Sequence, residues 1–336
     1  MTQPIKLGII GAGLAVKKLH WPALERLTEQ YQIVAVADVD GGSATSIAAL
    51  TGAPHTFTDY RELLALDVIE AVLISLPIHL TAPVSLAAAR AGKHLLIEKP
   101  VGSNLEQARL LRDELARLPV IALVAENFRY RSDLRTARRL IREGAIGEIV
   151  LIRLHSLAKI RGVDPEDFSS TPWRQDPQYR GGALLDGGVH HAAALRDIGG
   201  DVEWLHAFVK HGDSVMNGPT TISMNLRFRS GALGSWLYSV AVHDDDRAFL
   251  NLWIHGTTGT LRVRDGALHV LRPDADAASV ALDSDDTGGY RGEFVNFYEA
   301  VREGKPVIAT VEEGYRDMEL ILRGLDSAEQ AQVILL

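Results

Sequence analysis

Five short apolar segments dominate the first 125 residues and leave little choice of fold: positions 5–10, 32–37, 71–75, 94–97 and 120–125. Most are rich in Ile, Val and Leu and are not split by polar residues. A strand with one wet face alternates, whereas a strand covered on both faces does not, so these read as strands of a parallel sheet. Helical stretches lie between them at 43–50, 83–91 and 105–115. Gly92 is placed to end the second, and Ser103 or Asn104 to cap the third. The βαβα order predicts a doubly wound α/β domain.

After Arg129 the pattern changes. Residues 132–143 read as an exposed helix, and Arg129, Arg131, Arg135, Arg138 and Arg139 as a solvated basic face, with Arg129 also a candidate for substrate contact. β-rich or alternating runs follow at 149–156, 202–210, 220–228, 232–240, 249–255 and 261–263, punctuated by Gly231, Gly256, Gly259 and Gly266. They predict an α+β domain on a mainly antiparallel sheet. The expected division is 1–125 and 126–336, with a polar surface loop at 274–289 and a final amphipathic helix at 311–325.

Composition narrows the function. A chain of 336 residues, 46% hydrophobic and 23% charged, can bury two cores. Its net charge of −8 argues against a nucleic-acid partner, which needs a basic face. With no cysteine, disulfides, thiolate zinc sites and a cysteine nucleophile are excluded. The N-terminus lacks the pattern of a signal peptide, and no apolar run reaches the ~20 residues of a membrane helix. The expectation is a cytoplasmic protein with no membrane partner.

Gly11-Ala12-Gly13 follows the first strand and opens a helix, and Leu14 and Ala15 continue the turn. In a dinucleotide-binding fingerprint the first glycine makes the tight turn and the second lets the backbone approach a pyrophosphate. The helix N-terminus then offers free N–H groups and a positive dipole end. The third glycine position holds Val16, or Ala15 by a one-residue shift, which should push the helix off the strand. Asp38 ends the second strand 27 positions after Gly11, where a ribose-binding acid belongs. Such a carboxylate accepts from the 2′-hydroxyl of NAD and repels the 2′-phosphate of NADP, and Val39 beside it brings no cation. An ordinary βα turn is the plainer alternative.

Three further segments bear on chemistry. Glu98-Lys99-Pro100 closes a strand, Asp186-Gly-Gly-Val-His190 pairs an acid with a histidine, and Trp173-Arg174 precedes that pair. With the glycine turn, and with Glu293-Phe294-x-x-Phe297 and Gly304-Lys-Pro306 near the end, they resemble the Gfo/Idh/MocA family of sugar and polyol dehydrogenases along essentially the whole chain. The resemblance implies a Rossmann domain, then an open-faced antiparallel sheet through which many members form homodimers or homotetramers. It implies NAD as cofactor and a carbohydrate-like secondary alcohol as substrate. It also implies Lys99, Asp186 and His190 as the catalytic group. On the cofactor side it implies Ser75, Leu76, Pro77, His79, Glu98, Asn127, Trp173 and Arg174. Three positions depart from the family: Ile78 for its usual Asn, Thr81 for a second His, and Ala193 for an Asp that holds substrate hydroxyls in some polyol dehydrogenases.

The residue chemistry agrees. Oxidising a secondary alcohol needs a base for the hydroxyl proton, and a histidine with an ordinary pKa near ~6.5 exchanges protons at neutral pH. Asp186 lies four positions before His190, so one helical turn would put both on one face. Lys99 at a strand end can donate to the substrate oxygen, and Pro100 disfavours helical geometry there. Arg129, His155, Arg161, Tyr179 and Tyr290 are further candidates for substrate contact. Blander readings stand beside these: Lys99 as a solvated lysine, Trp173 as core, one of His190 and His191 as structural. The Asp186/His190 spacing would also suit two metal ligands, but no third is evident, and His243-Asp-Asp-Asp246 reads as a solvated loop. Two other activities remain open: an NAD-dependent glycoside hydrolase with transient redox, and a non-catalytic NAD(P)-binding regulator.

Overall fold

The computed structural model describes residues 3–336 except Val163, Pro165, Asp213, residues 244–247, Asp274 and residues 283–286. The chain forms two compact units, one of residues 1–127 with 289–315 and one of 128–288 with 316–336. The expected single cut near residue 125 differs from this, because the chain re-enters the first unit at residue 289.

The first unit is built on six parallel strands: β1 (Ile5–Ile10), β2 (Tyr31–Ala37), β3 (His55–Phe57), β4 (Ala71–Ile74), β5 (His94–Glu98) and β6 (Ala122–Ala125). Their order is β3-β2-β1-β4-β5-β6. β1 and β4 are buried almost throughout, as continuous apolar strands covered on both faces must be. The order reverses beside β1, and a ligand crevice forms at such a switch point, beyond the strands' C-terminal ends. The edge strand β3 is short and largely exposed, so it carries no apolar run for the sequence to announce. The connecting helices are α1 (Trp21–Leu24), α2 (Gly41–Thr51), α3 (Tyr60–Leu64), α4 (Ile78–Arg90) and α5 (Leu105–Leu115). Asn104 caps α5, its side chain accepting from the Gln107 N–H at 2.9 Å.

The second unit carries a nine-stranded sheet in the order β14-β13-β12-β11-β7-β10-β9-β8-β15. The strands are β7 (Ile149–Leu157), β8 (Val202–Lys210), β9 (Thr221–Phe228), β10 (Leu233–Ser239), β11 (Asn251–Gly256), β12 (Thr260–Arg264), β13 (Ala267–Leu271), β14 (Ala278–Ser279) and β15 (Ile334–Leu335). All neighbours are antiparallel except β7 and β10. β9 shows the expected alternation: Ile222, Met224, Leu226 and Phe228 are buried, and Ser223, Asn225 and Arg227 are exposed. The described part of the 274–289 segment includes β14 rather than loop alone.

Four helices of this unit are α6 (Ser132–Arg142), α7 (Pro172–Gln175), α8 (Gly182–Asp186) and α9 (Gly188–Gly199). α10 (Tyr290–Glu303) then belongs to the first unit, and α11 (Val311–Gln330) passes from the first unit into the second. A buried ion network fixes α11 within the second unit. Arg129 Nη2 donates to both Asp317 oxygens at 2.9 and 2.8 Å, and Arg196 Nη1 donates to Asp317 Oδ1 at 2.5 Å. Arg138 Nη1 donates to Asp197 Oδ1 at 2.6 Å. The arginine-rich face is therefore not uniformly solvated: Arg135 and Arg139 are exposed, while Arg129 is buried.

Candidate active site

In the first unit, the glycine turn leaves β1 at the point where strand order reverses. Gly11 has φ +95°, and a Cβ there would stand 2.0 Å from the Ser75 carbonyl oxygen at the end of β4, so only glycine fits. Gly13 is different: its backbone is ordinary and a Cβ would meet no atom within 4 Å. Nothing in the fold requires glycine at 13, and its absent side chain leaves open room beside the turn for a phosphate-bearing group. Residues 14–24 are helical, with a π-helical turn at Val16–His20. Val16, at the third glycine position, is fully buried and starts that wider turn.

Asp38 is locked to the turn. Its Oδ2 accepts from the Ala12 N–H at 2.7 Å and its Oδ1 from the Asp40 N–H at 2.9 Å. Each oxygen keeps a further lone pair, so the carboxylate can still accept from a ribose hydroxyl. Val39 beside it is exposed and carries no charge. Ser75, Leu76 and Pro77 run from β4 to the start of α4, where Ile78 is buried and His79 half-buried. His79 Nδ1 is buried with no hydrogen-bond partner, an orphaned nitrogen in the first turn of α4 that a ligand can satisfy. These observations fit a dinucleotide at the crevice.

At the end of β5, Glu98 is buried and Lys99 half-buried. Glu98 Oε1 lies 2.7 Å from His20 Nε2, and Glu98 Oε2 accepts from the Lys99 backbone N–H at 3.0 Å. The Lys99–Pro100 peptide bond is cis. Asn127 is buried where the chain leaves this unit.

In the second unit, α8 ends at Asp186 and α9 begins at Gly188. Gly187 between them keeps helical dihedrals, and a Cβ there would come within 2.6 Å of Tyr238 Oη, so the helices sit close over β10. Asp186 Oδ2 accepts from Arg174 Nε at 2.6 Å. The Arg174 guanidinium lies over the Trp173 ring at 4.0 Å and the Phe168 ring at 5.3 Å. Arg174 and Trp173, implied as cofactor neighbours by resemblance, are thus brought to Asp186. Tyr179 stacks at a tilt on Trp173, with centroids 6.3 Å apart, and its buried hydroxyl has no hydrogen-bond partner. Burial, and then the Asp186 charge, push that hydroxyl's pKa well up, so it stays a neutral donor.

The adjacent histidines separate cleanly. His191 is fully buried, with Nε2 2.7 Å from the Phe249 carbonyl oxygen, and burial pulls its pKa down to about 3. It is a neutral, structural imidazole. His190 keeps a slight exposure and lies face to face with Phe128, centroids 4.9 Å apart at 22°. Of the pair, it is the one that keeps exposed surface.

Three substrate candidates sit in surroundings that the sequence did not show. Arg129 pairs with Asp317 inside the second unit. His155 has the parity of Arg153 in β7, opposite to the buried Ile152, Leu154 and Ser156, so it faces away from the core side of the sheet. Tyr290 belongs to the first unit, edge-on to His20 at 5.7 Å, rather than to a second-unit loop. Arg161 is exposed. In the His243–Asp246 segment, residues 244–246 lie outside the described residues. Among the described residues no group of three or more His, Asp or Glu side chains is placed to hold a metal ion, and no helix is long and apolar enough to cross a membrane.

Sequence reasoning missed a buried acidic cluster in the first unit. Glu293 on α10 is fully buried with neither carboxyl oxygen hydrogen-bonded. Burial first, then Glu98 and Glu126, push its pKa well above the usual carboxyl range. The signal was present: Glu293, Phe297 and Ala300 share one helical stripe, and the last two are apolar.

Comparison with known proteins places both units. Residues 5–126 match the family model described as oxidoreductase family, NAD-binding Rossmann fold, and residues 134–262 match the GFO/IDH/MocA C-terminal domain. A solved oxidoreductase from Thermotoga maritima superposes with a TM-score of 0.90 at 30% identity, covering 99% of this chain and 98% of that one. Levoglucosan dehydrogenase of Pseudarthrobacter phenanthrenivorans is 25% identical over 95% of this chain and 87% of its own length. The NADP(+)-dependent scyllo-inositol 2-dehydrogenase of Bacillus subtilis is 24% identical over 100% and 97%.

Proposed function

The chain belongs to the Gfo/Idh/MocA family of NAD-binding oxidoreductases, and from that premise we propose that it transfers a hydride between NAD and a secondary alcohol of a sugar, polyol or sugar derivative. The observation that carries the cofactor half is Asp38, fastened to the glycine turn through the Ala12 N–H and followed by the exposed, uncharged Val39. Gly11, Ala12, Gly13, Leu14 and Ala15 would hold the pyrophosphate through backbone N–H groups at the helix start, and Asp38 the ribose. Ser75, Leu76, Pro77 and His79 would border the same cofactor. NAD, when bound, supplies the hydride acceptor.

The alcohol chemistry falls to three side chains. His190 accepts the hydroxyl proton at a ring nitrogen in oxidation and returns it in reduction. Its stacking on Phe128 fixes the ring plane. Asp186, held by Arg174, keeps a fixed orientation and can accept from a substrate hydroxyl. Lys99 Nζ donates to the reacting oxygen and stabilises its developing negative charge. Tyr179, with an unsatisfied neutral hydroxyl beside Asp186 and Arg174, offers a donor to a second sugar oxygen. The family relatives named for levoglucosan and scyllo-inositol support a polyhydroxylated ring as the substrate class.

The test is a panel of sugars, anhydrosugars, polyols and sugar acids with NAD, read by NADH formation. Turnover with at least one ring alcohol is expected. Glycoside cleavage without net NADH would replace this reading with the hydrolase one. NADH binding without turnover on any alcohol or glycoside would replace it with a regulatory role.

A further inference from the structure

The buried cluster under the end of β5 is not used by the chemistry above, yet it joins the two parts of the first unit that the chemistry needs. His20 ends the π-helical turn that follows the glycine turn, and Glu98 immediately precedes Lys99. The His20 ring is fully buried. The Tyr290 and Phe294 rings meet it edge-on at 5.7 and 5.8 Å, so its plane is fixed. Its Nδ1 has no hydrogen-bond partner, which leaves Nε2, 2.7 Å from Glu98 Oε1, as the ring's polar contact. The other oxygen of the same carboxylate accepts from the Lys99 N–H at 3.0 Å. One carboxylate therefore spans from the helix after the nucleotide turn to the peptide that carries Lys99.

We propose that His20 is a positioning residue: through Glu98 it fixes the Lys99 peptide relative to the dinucleotide-binding turn. The inference rests on the reading of Lys99 as the group that polarises the substrate oxygen. A buried carboxylate is stable only while its hydrogen bonds are made, and charge-assisted bonds are short and directional. A ring nitrogen on one oxygen and a backbone N–H on the other set both the position and the rotation of Glu98. Behind it, Glu293 lies fully buried without a hydrogen-bond partner, and burial raises its pKa above the usual carboxyl range. It offers Glu98 no cation in place of His20.

The experiment compares two variants of the full chain. His20→Phe keeps an aromatic ring against Tyr290 and Phe294 but removes the donor. His20→Gln keeps an N–H near the position of Nε2. For His20→Phe, kcat is expected to fall ~10–100-fold with the KM for the alcohol within about twofold, the scale expected of a reactive group displaced by about 1 Å. His20→Gln should recover most of that loss. The acylation rate of Lys99 by a small anhydride, read by peptide mass spectrometry without substrate, should shift several-fold in His20→Phe and return in His20→Gln. Melting temperature is followed alongside. A lower melting temperature in His20→Phe with Lys99 reactivity unchanged would show a purely structural histidine and overturn the proposal. So would a His20→Gln variant no better than His20→Phe. If no alcohol on the panel turns over, the reading of Lys99 in catalysis fails, while the acylation rates still decide whether His20 sets the Lys99 environment.

Discussion

At the scale of single side chains, the proposed cofactor choice rests on Asp38 and the proposed proton transfer on His190. Asp38 accepts two backbone N–H groups, which fix its carboxylate against the glycine turn. We expect NAD to bind more tightly than NADP, and Asp38→Ala to narrow the difference by weakening NAD more than NADP. Titration of both cofactors against both proteins measures this, and tighter NADP binding by the natural chain would refute it. His190 and His191 are neighbours with opposite fates, because burial holds one neutral while the other keeps access. His190→Ala and Lys99→Ala should each lower kcat by ~10²–10⁴, the usual scale for acid–base groups, with NAD affinity within several-fold. Full turnover by His190→Ala would assign the proton to another group.

At the scale of elements, position within a helix or strand outweighs residue type. The arginines near α6 look alike in sequence, yet Arg129 turns inward to Asp317 while Arg139 pairs with Glu143 on the surface at 3.0 Å. In β7 the two-residue period alone sends His155 to the open side of the sheet. On α10 the helical period buries Glu293, and this has a pH signature. Its folded pKa is raised, so the stability associated with its neutral form is complete below the unfolded value of ~4.3 and is lost as pH rises through the folded value. Glu293→Gln removes that titration. The variant's melting temperature should therefore gain on the natural chain as pH is raised from about 5 to about 8. A difference between the two proteins that does not change with pH would mean that Glu293 titrates normally.

At the scale of the whole molecule, the nine-stranded sheet leaves an assembly question. Its outward residues include Phe208 at 66% exposure on β8 and Leu233 at 51% on β10, large apolar groups that share their strand faces with the half-buried Trp204 and Leu237. We expect this face to join copies of the chain, since single-sided sheets with apolar groups outside tend to be covered. Sedimentation at micromolar concentration should show a dimer or tetramer, and Phe208→Glu should weaken it; a monomer would exclude assembly through this face. The same scale separates what the sequence settles from what it leaves open. The parallel sheet was legible because β1 and β4 are short apolar runs covered on both faces, and the nucleotide turn because glycine is the residue that fits at position 11 against Ser75. Those constraints are local, and a local pattern records them. The burial of Arg129 was not legible, because its partner Asp317 lies 188 positions away. The same holds for His20 and Glu98, 78 positions apart. Whether a charged or titratable side chain faces water, a partner or nothing depends on groups that only the folded chain brings within a hydrogen bond's reach.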